Sequence, residues 1–336
     1  MKAKVFILLL LISVNGKFIF SQVDLNKTAQ STMNFLLVST SPKASALGDA
    51  FTSVGNGAES IFYNPAGLSD MKSEFDITIG YSQWIADINY LTGAVAWDLG
   101  LYGVVGFSLL TVDYGDINGT SLIDGSQIEN HPLGYIDNGL VENVGAYCIG
   151  ISYAKAISTE FSIGGSMKLA GQNLGKNFLS YGSKDNNAKK LVFDAGVKYK
   201  TGFKDFSFGM SIRNFATNLK REEMNEQLPL VFSLGTSINL MKLIDEDMAV
   251  NNSIVVSADF MHHNNYSERL NFGLEYKYMN VFVFRGGYQT NRDLMSWSGG
   301  VGLQTKLFDY GVELNYSYSI MEFFDNLNRV SLVFSF

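Results

Sequence analysis

Cysteine, histidine, proline and charge are all scarce in this chain. A single cysteine, Cys148, in 336 residues leaves no partner for an intrachain disulfide and rules out a Cys-rich metal site. Three histidines, at 131, 262 and 263, leave little material for zinc or general-base chemistry. Charged residues make up only 17% of the chain, against a globular norm nearer about 25%. Lys and Arg together number 25 against 32 Asp and Glu, and the net charge of −7 excludes the basic footprint of a nucleic-acid binder. Beyond the N-terminus no continuous apolar run approaches the roughly 18 residues that a spanning helix needs.

Apolar residues nevertheless make up 46% of the chain, with 33 Gly, 25 Phe and 17 Tyr. That content is too high for disorder, and the glycines lack the period of three of collagen. The chain opens with Met1-Lys2-Ala3-Lys4, an apolar stretch from Val5 to Val14, and Phe20-Ser21-Gln22. This order of positive, apolar and small residues predicts an export signal over 1–21 with cleavage after Ser21. A buried N-terminal strand or helix is the alternative. Cleavage would remove Lys2, Lys4 and Lys17 and take the net charge from −7 to −10. No cysteine lies near the cut to carry a lipid anchor.

Residues 22–70 differ in pattern from the rest of the chain. They offer two short helical candidates, Thr28 to Val38 and Lys43 to Val54, separated by Pro42. From Phe75 onward the apolar period is two. Phe75, Ile77, Ile79 and Tyr81 share one face, and the pattern recurs through fourteen segments to Val330, Leu332, Phe334 and Phe336. The opposite faces are small or polar, as at Glu313, Asn315, Ser317 and Ser319. A soluble sandwich also alternates. These segments are longer than the usual strand of about 5 to 6 residues, even in number, and often bounded by aromatics. Short connections at Asp98–Gly100, Lys155–Thr159, Met279–Asn280 and Phe308–Asp309 alternate with long ones at 114–140, 171–190 and 214–227. Pro42, Pro65, Pro132 and Pro229 all fall outside strand interiors. The expectation is an all-β, 14-stranded antiparallel outer-membrane β-barrel over 71–336, with a 22–70 segment acting as a hatch or plug. An even strand count puts both termini on the periplasmic side of the outer membrane of a diderm bacterium.

The register turns Lys168, Lys198, Arg213, Lys277, Arg285 and Lys306 inward, against Asp76, Asp194, Asp259, Glu275 and Glu313. A selective ion pore would favour one sign. Near balance fits ion pairs bracing a filled lumen, or else an ordinary wet one. The apolar residues Phe35, Leu36, Leu37, Leu47, Phe51 and Phe62 would let the 22–70 segment be buried as a plug or periplasmic cap.

The run Ala44-Ser-Ala-Leu-Gly-Asp-Ala-Phe51, followed by Asn56, Ala58 and Phe62-Tyr-Asn-Pro-Ala-Gly-Leu68, resembles the PorV/PorQ family of outer-membrane proteins. It is also similar to the FadL fatty-acid transporter family. The resemblance implies a fourteen-stranded barrel whose N-terminal segment enters the lumen. The turn at Asn64, Pro65, Ala66 and Gly67 would anchor the hatch, with Gly67 approaching the wall near the first strand. PorV-like proteins imply a role in type IX secretion, with a large translocon barrel and secreted cargo as partners. FadL-like ones imply passive uptake of hydrophobic solutes.

Other chemistry finds little footing. His262 and His263 read as a solvated pair in a short loop, with no serine spaced to be a nucleophile beside them. Asp113–Asp116 and Asp245–Asp247 lack calcium-loop spacing. The expectation is a non-enzymatic barrel with no metal or cofactor, in contact with outer-membrane lipid.

Overall fold

The computed structural model describes residues 31–336 apart from 124, 126–127, 180–181, 222–223, 293–294 and 309. The leader expected over 1–21 lies outside the described residues. Strict alternation lets each strand turn one face to lipid and the other inward while all its backbone bonds go to neighbours. Chain order gives β1 (Phe75–Gln83), β2 (Asn89–Asp98), β3 (Val104–Asp113), β4 (Asn118–Leu122), β5 (Tyr135–Leu140), β6 (Gly145–Ala156), β7 (Phe161–Leu179), β8 (Gly182–Lys200) and β9 (Ser207–Phe215). It continues with β10 (Leu219–Arg221), β11 (Met224–Glu226), β12 (Val231–Asn239), β13 (Ser253–His263), β14 (Arg269–Tyr278), β15 (Phe282–Gln289), β16 (Trp297–Leu307), β17 (Tyr310–Ser319) and β18 (Leu327–Ser335). Fourteen of these close a barrel of antiparallel neighbours, with β1 bonded to both β2 and β18. The pairs β4–β5 and β10–β11 are separate two-stranded hairpins in the connections after β3 and β9. Phe75 and Phe336 exchange backbone bonds of 2.7 and 2.9 Å, so both ends of the barrel meet on one rim.

The outward residues form a band suited to lipid. Ile79, Leu91, Phe107, Ile149, Leu274 and Leu314 are exposed. Aromatic rings gather at the terminal rim, where Phe75 stacks on Trp97 and Phe336 at centroid distances of 5.5 and 5.3 Å. At the opposite rim Tyr288 lies 4.7 Å from Trp297. Apolar residues between two aromatic girdles are the surface of a membrane barrel. Among the described residues no helix is long and apolar enough to cross a membrane, which says nothing of strands.

Several expectations need correction. The stretch 171–190 is no loop: β7 and β8 are 19 residues each and pair on to Leu179 and Gly182, carrying the hairpin past the rim. The β12–β13 connection is on the terminal rim yet holds a helical turn, α2 (Met241–Ile244), and a 3-10 turn (Met248–Val250). Short and long connections therefore do not sort strictly by rim. His262 and His263 end strand β13 rather than lying in a loop; His262 meets Glu268 and His263 is buried.

The N-terminal segment is far less helical than its composition predicts. Where 28–38 was expected as a helix, only Asn34–Leu37 is a 3-10 turn; residues 28–30 lie outside the described residues. In place of a helix over 43–54 stands α1 (Pro42–Ala46), capped by the Ser41 hydroxyl accepting from the Ala44 N–H at 3.1 Å. Gly48 and Asp49, at φ 62° and 61°, leave the right-handed region and stop it. These short turns let the segment wind along the inner wall. Met33 and Phe35 pack with Tyr90, Val112 and Leu228 near the rim opposite the barrel ends. Ala44, Leu47, Phe51 and Tyr63 form a middle layer. Ile61 and Leu68 meet Ala96, Val104 and Ala154 near the terminal rim.

Candidate functional site

Most of the sequence-identified inward residues contact this winding segment or one another. At the turn, Asn64 is 1% exposed and its amide is fully used. Nδ2 donates to the Thr52 carbonyl at 2.9 Å and to the Val197 carbonyl of β8 at 3.1 Å, and Oδ1 accepts from the Ala66 N–H at 3.1 Å. Pro65 starts a 3-10 turn to Asp70, as its fixed φ favours. Gly67 does not approach the first strand. A Cβ there would lie 2.5 Å from the Gly55 carbonyl and 2.8 Å from Ser60 Cβ, both within the segment itself. The glycines that admit the turn to the wall are Gly164 of β7, beside Pro65, and Gly196 of β8, beside Asn64.

The inward charges fall into three groups. Lys168 pairs with Asp194 at 2.6 Å, and Asp194 also accepts from the Asn214 N–H at 2.8 Å. Arg285 bridges Glu275 at 2.7 Å and Glu313 at 3.5 Å. Four others reach into the segment. Lys198 pairs with Asp70 at 2.7 Å and donates to the Gly55 carbonyl. Asp259 accepts from the Thr52 N–H at 2.9 Å, and Asp76 from the Ala58 N–H at 3.1 Å. Arg213 donates to the Phe62 carbonyl at 2.8 Å and lies over the Tyr63 ring. Lys277 and Lys306 share the inward parity, but no ion pair of the described residues includes them. Lys306 lines the terminal mouth instead.

Sequence reading passed over the segment's own charges. Lys43 sits between Glu59 at 3.3 Å and Glu313 at 3.2 Å. Burial lowers the lysine pKa, but the charges of Glu313 and Glu59 outweigh it and hold the Lys43 ammonium above the usual lysine range. Ser41 donates to Glu59, and Lys200 pairs with Asp70 beside Lys198. Arg329, 1% exposed, donates to the Ser39 carbonyl at 2.8 Å and the Ser319 hydroxyl at 2.9 Å. Its inward parity follows from Val330 and Leu332 facing out, a signal present in the sequence.

The middle layer separates two spaces. Toward the terminal rim a mouth of about 650 Å³ is lined by Lys43, Glu59, Asp70, Asp76, Lys306 and Glu313. Toward the opposite rim lies a narrow cavity of about 60 Å³. Its lining mixes apolar side chains, Leu36, Leu37, Val38, Ile61, Leu110 and Met261 among them, with the polar Arg213, Arg269, Arg292 and His263. Burial pulls the Arg292 guanidinium below its usual pKa, against the opposing charge of Asp49. Burial also pushes the Tyr63 hydroxyl up, and it stays a neutral partner of Ser39 at 3.0 Å. Among the described residues no three His, Cys, Asp or Glu side chains are grouped to hold a metal.

No family model matches the sequence, and no curated protein matches it. The fold does have solved counterparts. The Pseudomonas putida toluene transporter TodX matches with a TM-score of 0.55 at 13% identity, over 87% of this chain and 96% of TodX. A deltaS2S3 mutant of TodX, a monoaromatic hydrocarbon channel, matches with a TM-score of 0.53 at 13% identity, over 88% of this chain and 97% of its own. A Pseudomonas aeruginosa FadL homologue matches with a TM-score of 0.49 at 12% identity, over 89% and 97%. At such identity the TodX likeness shows the fold: a fourteen-stranded antiparallel barrel of the outer-membrane type.

Proposed function

We propose that this chain is a non-enzymatic outer-membrane barrel that passes small hydrophobic solutes without an energy source. In this reading 1–21 is an export signal, 22–70 a hatch within the lumen, and 71–336 the barrel. The terminal rim faces the periplasm, and the β4–β5 and β7–β8 hairpins face the outside. The observation that carries the reading is a cavity lined in large part by apolar side chains beside a segment that many polar contacts, along with apolar ones, join to the barrel. Hydrogen bonds and ion pairs can be exchanged for water at modest net cost, so a segment held this way can rearrange. The fold likeness to TodX supports the same class of solute. The Asn64–Gly67 turn, fixed to β8 through Asn64, serves as the hatch anchor. The luminal ion pairs serve as its braces.

A role in type IX secretion rests on the Ala44–Phe51 and Phe62–Leu68 runs alone. The test is uptake of labelled toluene at low concentration by diderm cells that lack their own hydrocarbon barrel. Expression of the full chain should raise the initial rate several-fold. An unchanged rate, together with recovery of a very large barrel in a detergent pull-down, would favour secretion instead.

A further inference from the structure

On the terminal rim an apolar patch stands outside the strand band. Three connections build it: 201–206 between β8 and β9, 240–252 between β12 and β13, and 279–281 between β14 and β15. Ile244 is 71% exposed, Val250 70%, Phe203 60% and Met279 59%. Single exposed apolar residues need no explanation, but these belong to connections fastened together. Lys204 pairs with Glu246, and Lys242 with Asp205 at 2.6 Å. The Asn239 N–H donates to the Lys204 carbonyl at 3.2 Å. Asn280 Nδ2 donates to the Val250 carbonyl at 3.2 Å, and the Met279 N–H to Asn252 Oδ1 at 3.1 Å. Polar groups are thus spent within the platform while apolar side chains are left outside. Phe203 and Val250 flank a groove of about 580 Å³. Met279 also holds φ 53°, where a bulky side chain is out of place and an asparagine would suit both backbone and water better.

Depth decides what covers this patch. Met279 directly follows Tyr278, which is exposed on the outward face beside Tyr276. Val250 lies at the same level, bonded to Asn280. A strand rises about 3.3 Å per residue, and the headgroup layer outside the hydrocarbon is roughly 5 to 8 Å deep. The patch therefore continues the lipid-facing band into the headgroup layer. A periplasmic protein would have to enter that layer to reach it, whereas phospholipid already fills it. Charge narrows the kind of lipid. The platform carries four carboxylates, Asp205, Asp245, Glu246 and Asp247, against Lys204 and Lys242. That surplus repels anionic headgroups and suits those that bear an ammonium.

We infer that the β8–β9, β12–β13 and β14–β15 connections form an interfacial foot that binds zwitterionic phospholipid of the periplasmic leaflet, with Phe203, Ile244, Val250 and Met279 lodged at the boundary of headgroups and acyl chains. The foot is independent of what the lumen carries.

The experiment places a nitroxide on Ile244→Cys or, separately, on Phe203→Cys, each in a Cys148→Ser background of the full chain. The barrel is reconstituted into vesicles of phosphatidylethanolamine and phosphatidylcholine, and heat-modifiable gel mobility confirms that each variant is folded. Collisions of the nitroxide with oxygen, which concentrates in lipid, are compared with collisions with a water-soluble nickel chelate. Leu274→Cys in the strand band is the lipid reference, and Leu122→Cys on the β4 hairpin the water reference. The oxygen-to-nickel ratio at 244 and at 203 should stand several-fold above that at 122 and approach that at 274. Replacing most of the lipid by phosphatidylglycerol should lower the ratio at both positions. Asp245→Asn with Asp247→Asn should remove that dependence on lipid. Ratios at 244 and 203 equal to that at 122 would overturn the foot and mark the patch as a water-facing surface for a periplasmic protein. High ratios that are the same in both lipids would overturn the preference for zwitterionic headgroups.

Discussion

At the scale of single residues, the turn at Asn64–Gly67 separates two kinds of constraint. Gly67 is needed because its Cβ position is occupied by the segment's own backbone, at Gly55. Gly67→Leu should therefore prevent the segment from closing on itself, while barrel strands still pair. Asn64→Ala should leave the Thr52 and Val197 carbonyls without their side-chain donor at a buried site, costing about 1 to 3 kcal/mol for each group left unsatisfied. Ser69→Ala removes one bond to the Ala66 carbonyl and should cost about 1 kcal/mol. Limited proteolysis across 31–70, with heat-modifiable mobility reporting the barrel, should rank the variants Gly67→Leu, Asn64→Ala, Ser69→Ala in falling sensitivity. Equal resistance in all three would remove the turn's anchoring role.

Lys43 makes a second residue-scale case. Lys43→Met would leave Glu59 without a cation and Glu313 with Arg285 alone, a loss on the order of 3 to 5 kcal/mol for a broken buried pair. The double change Lys43→Met with Glu59→Gln should recover part of it, as urea unfolding in lipid vesicles would show. Because the Lys43 pKa is raised in the folded state, its stabilisation is complete below the ordinary lysine value of 10.5 and is lost only as pH climbs through the raised value. Alkaline loosening of the segment should thus begin above that pH, and Lys43→Met should abolish this alkaline step.

At the scale of elements, the strands were legible because alternation survives in each, and a single face-assignment per strand places every lipid-facing residue named from Phe75 to Phe336. Elements outside that period were not. The β8–β9 register shifts between Phe193 and Ala195, where Asn214 has φ 62° and turns its N–H to Asp194. A bulge adds a residue that period two cannot foresee, and here it satisfies a buried carboxylate. The polar hairpin extension of β7 and β8 was invisible for a related reason. The sequence from Gln172 to Lys189 carries no apolar alternation, although its backbone ladder continues. The N-terminal segment misled through composition: its Ala and Leu content reads as helix, whereas its contacts with the wall dictate short turns. Inward charges were readable by parity, but their partners were not, since Lys198 finds Asp70 and Asp259 finds Thr52 across large sequence distances. The element assignment carries its own prediction. Leu122→Cys, on the β4 hairpin, should label from outside intact cells, whereas Leu101→Cys, in the turn after β2, should label only after the outer membrane is opened. The native Cys148 is buried and should stay silent. Labelling of Leu101→Cys alone on intact cells would invert the orientation.

At the scale of the whole molecule, the barrel and its N-terminal segment present a mechanical question: whether solutes pass around the segment or only after it moves. The segment touches the wall from rim to rim, and the two luminal spaces lie on opposite sides of its middle layer. If solutes do not pass around the segment, the layer formed by Ala44, Leu47, Phe51 and Tyr63 has to be displaced. Ser45 of α1 and Ser319 of β17 bring their hydroxyls to 3.1 Å, close enough for two thiols placed there to bond. A Ser45→Cys, Ser319→Cys pair, in a Cys148→Ser background, would tie the middle layer to the wall without adding bulk. Oxidised cells should take up solute no faster than cells lacking the barrel, and a membrane-permeant reductant should restore the parental rate. Each single cysteine variant should transport normally in both conditions, which separates the tether from the substitutions. Undiminished uptake by the oxidised pair, with the disulfide verified on a non-reducing gel after cleavage between 45 and 319, would show that solutes bypass the segment and that it braces the barrel rather than gating it.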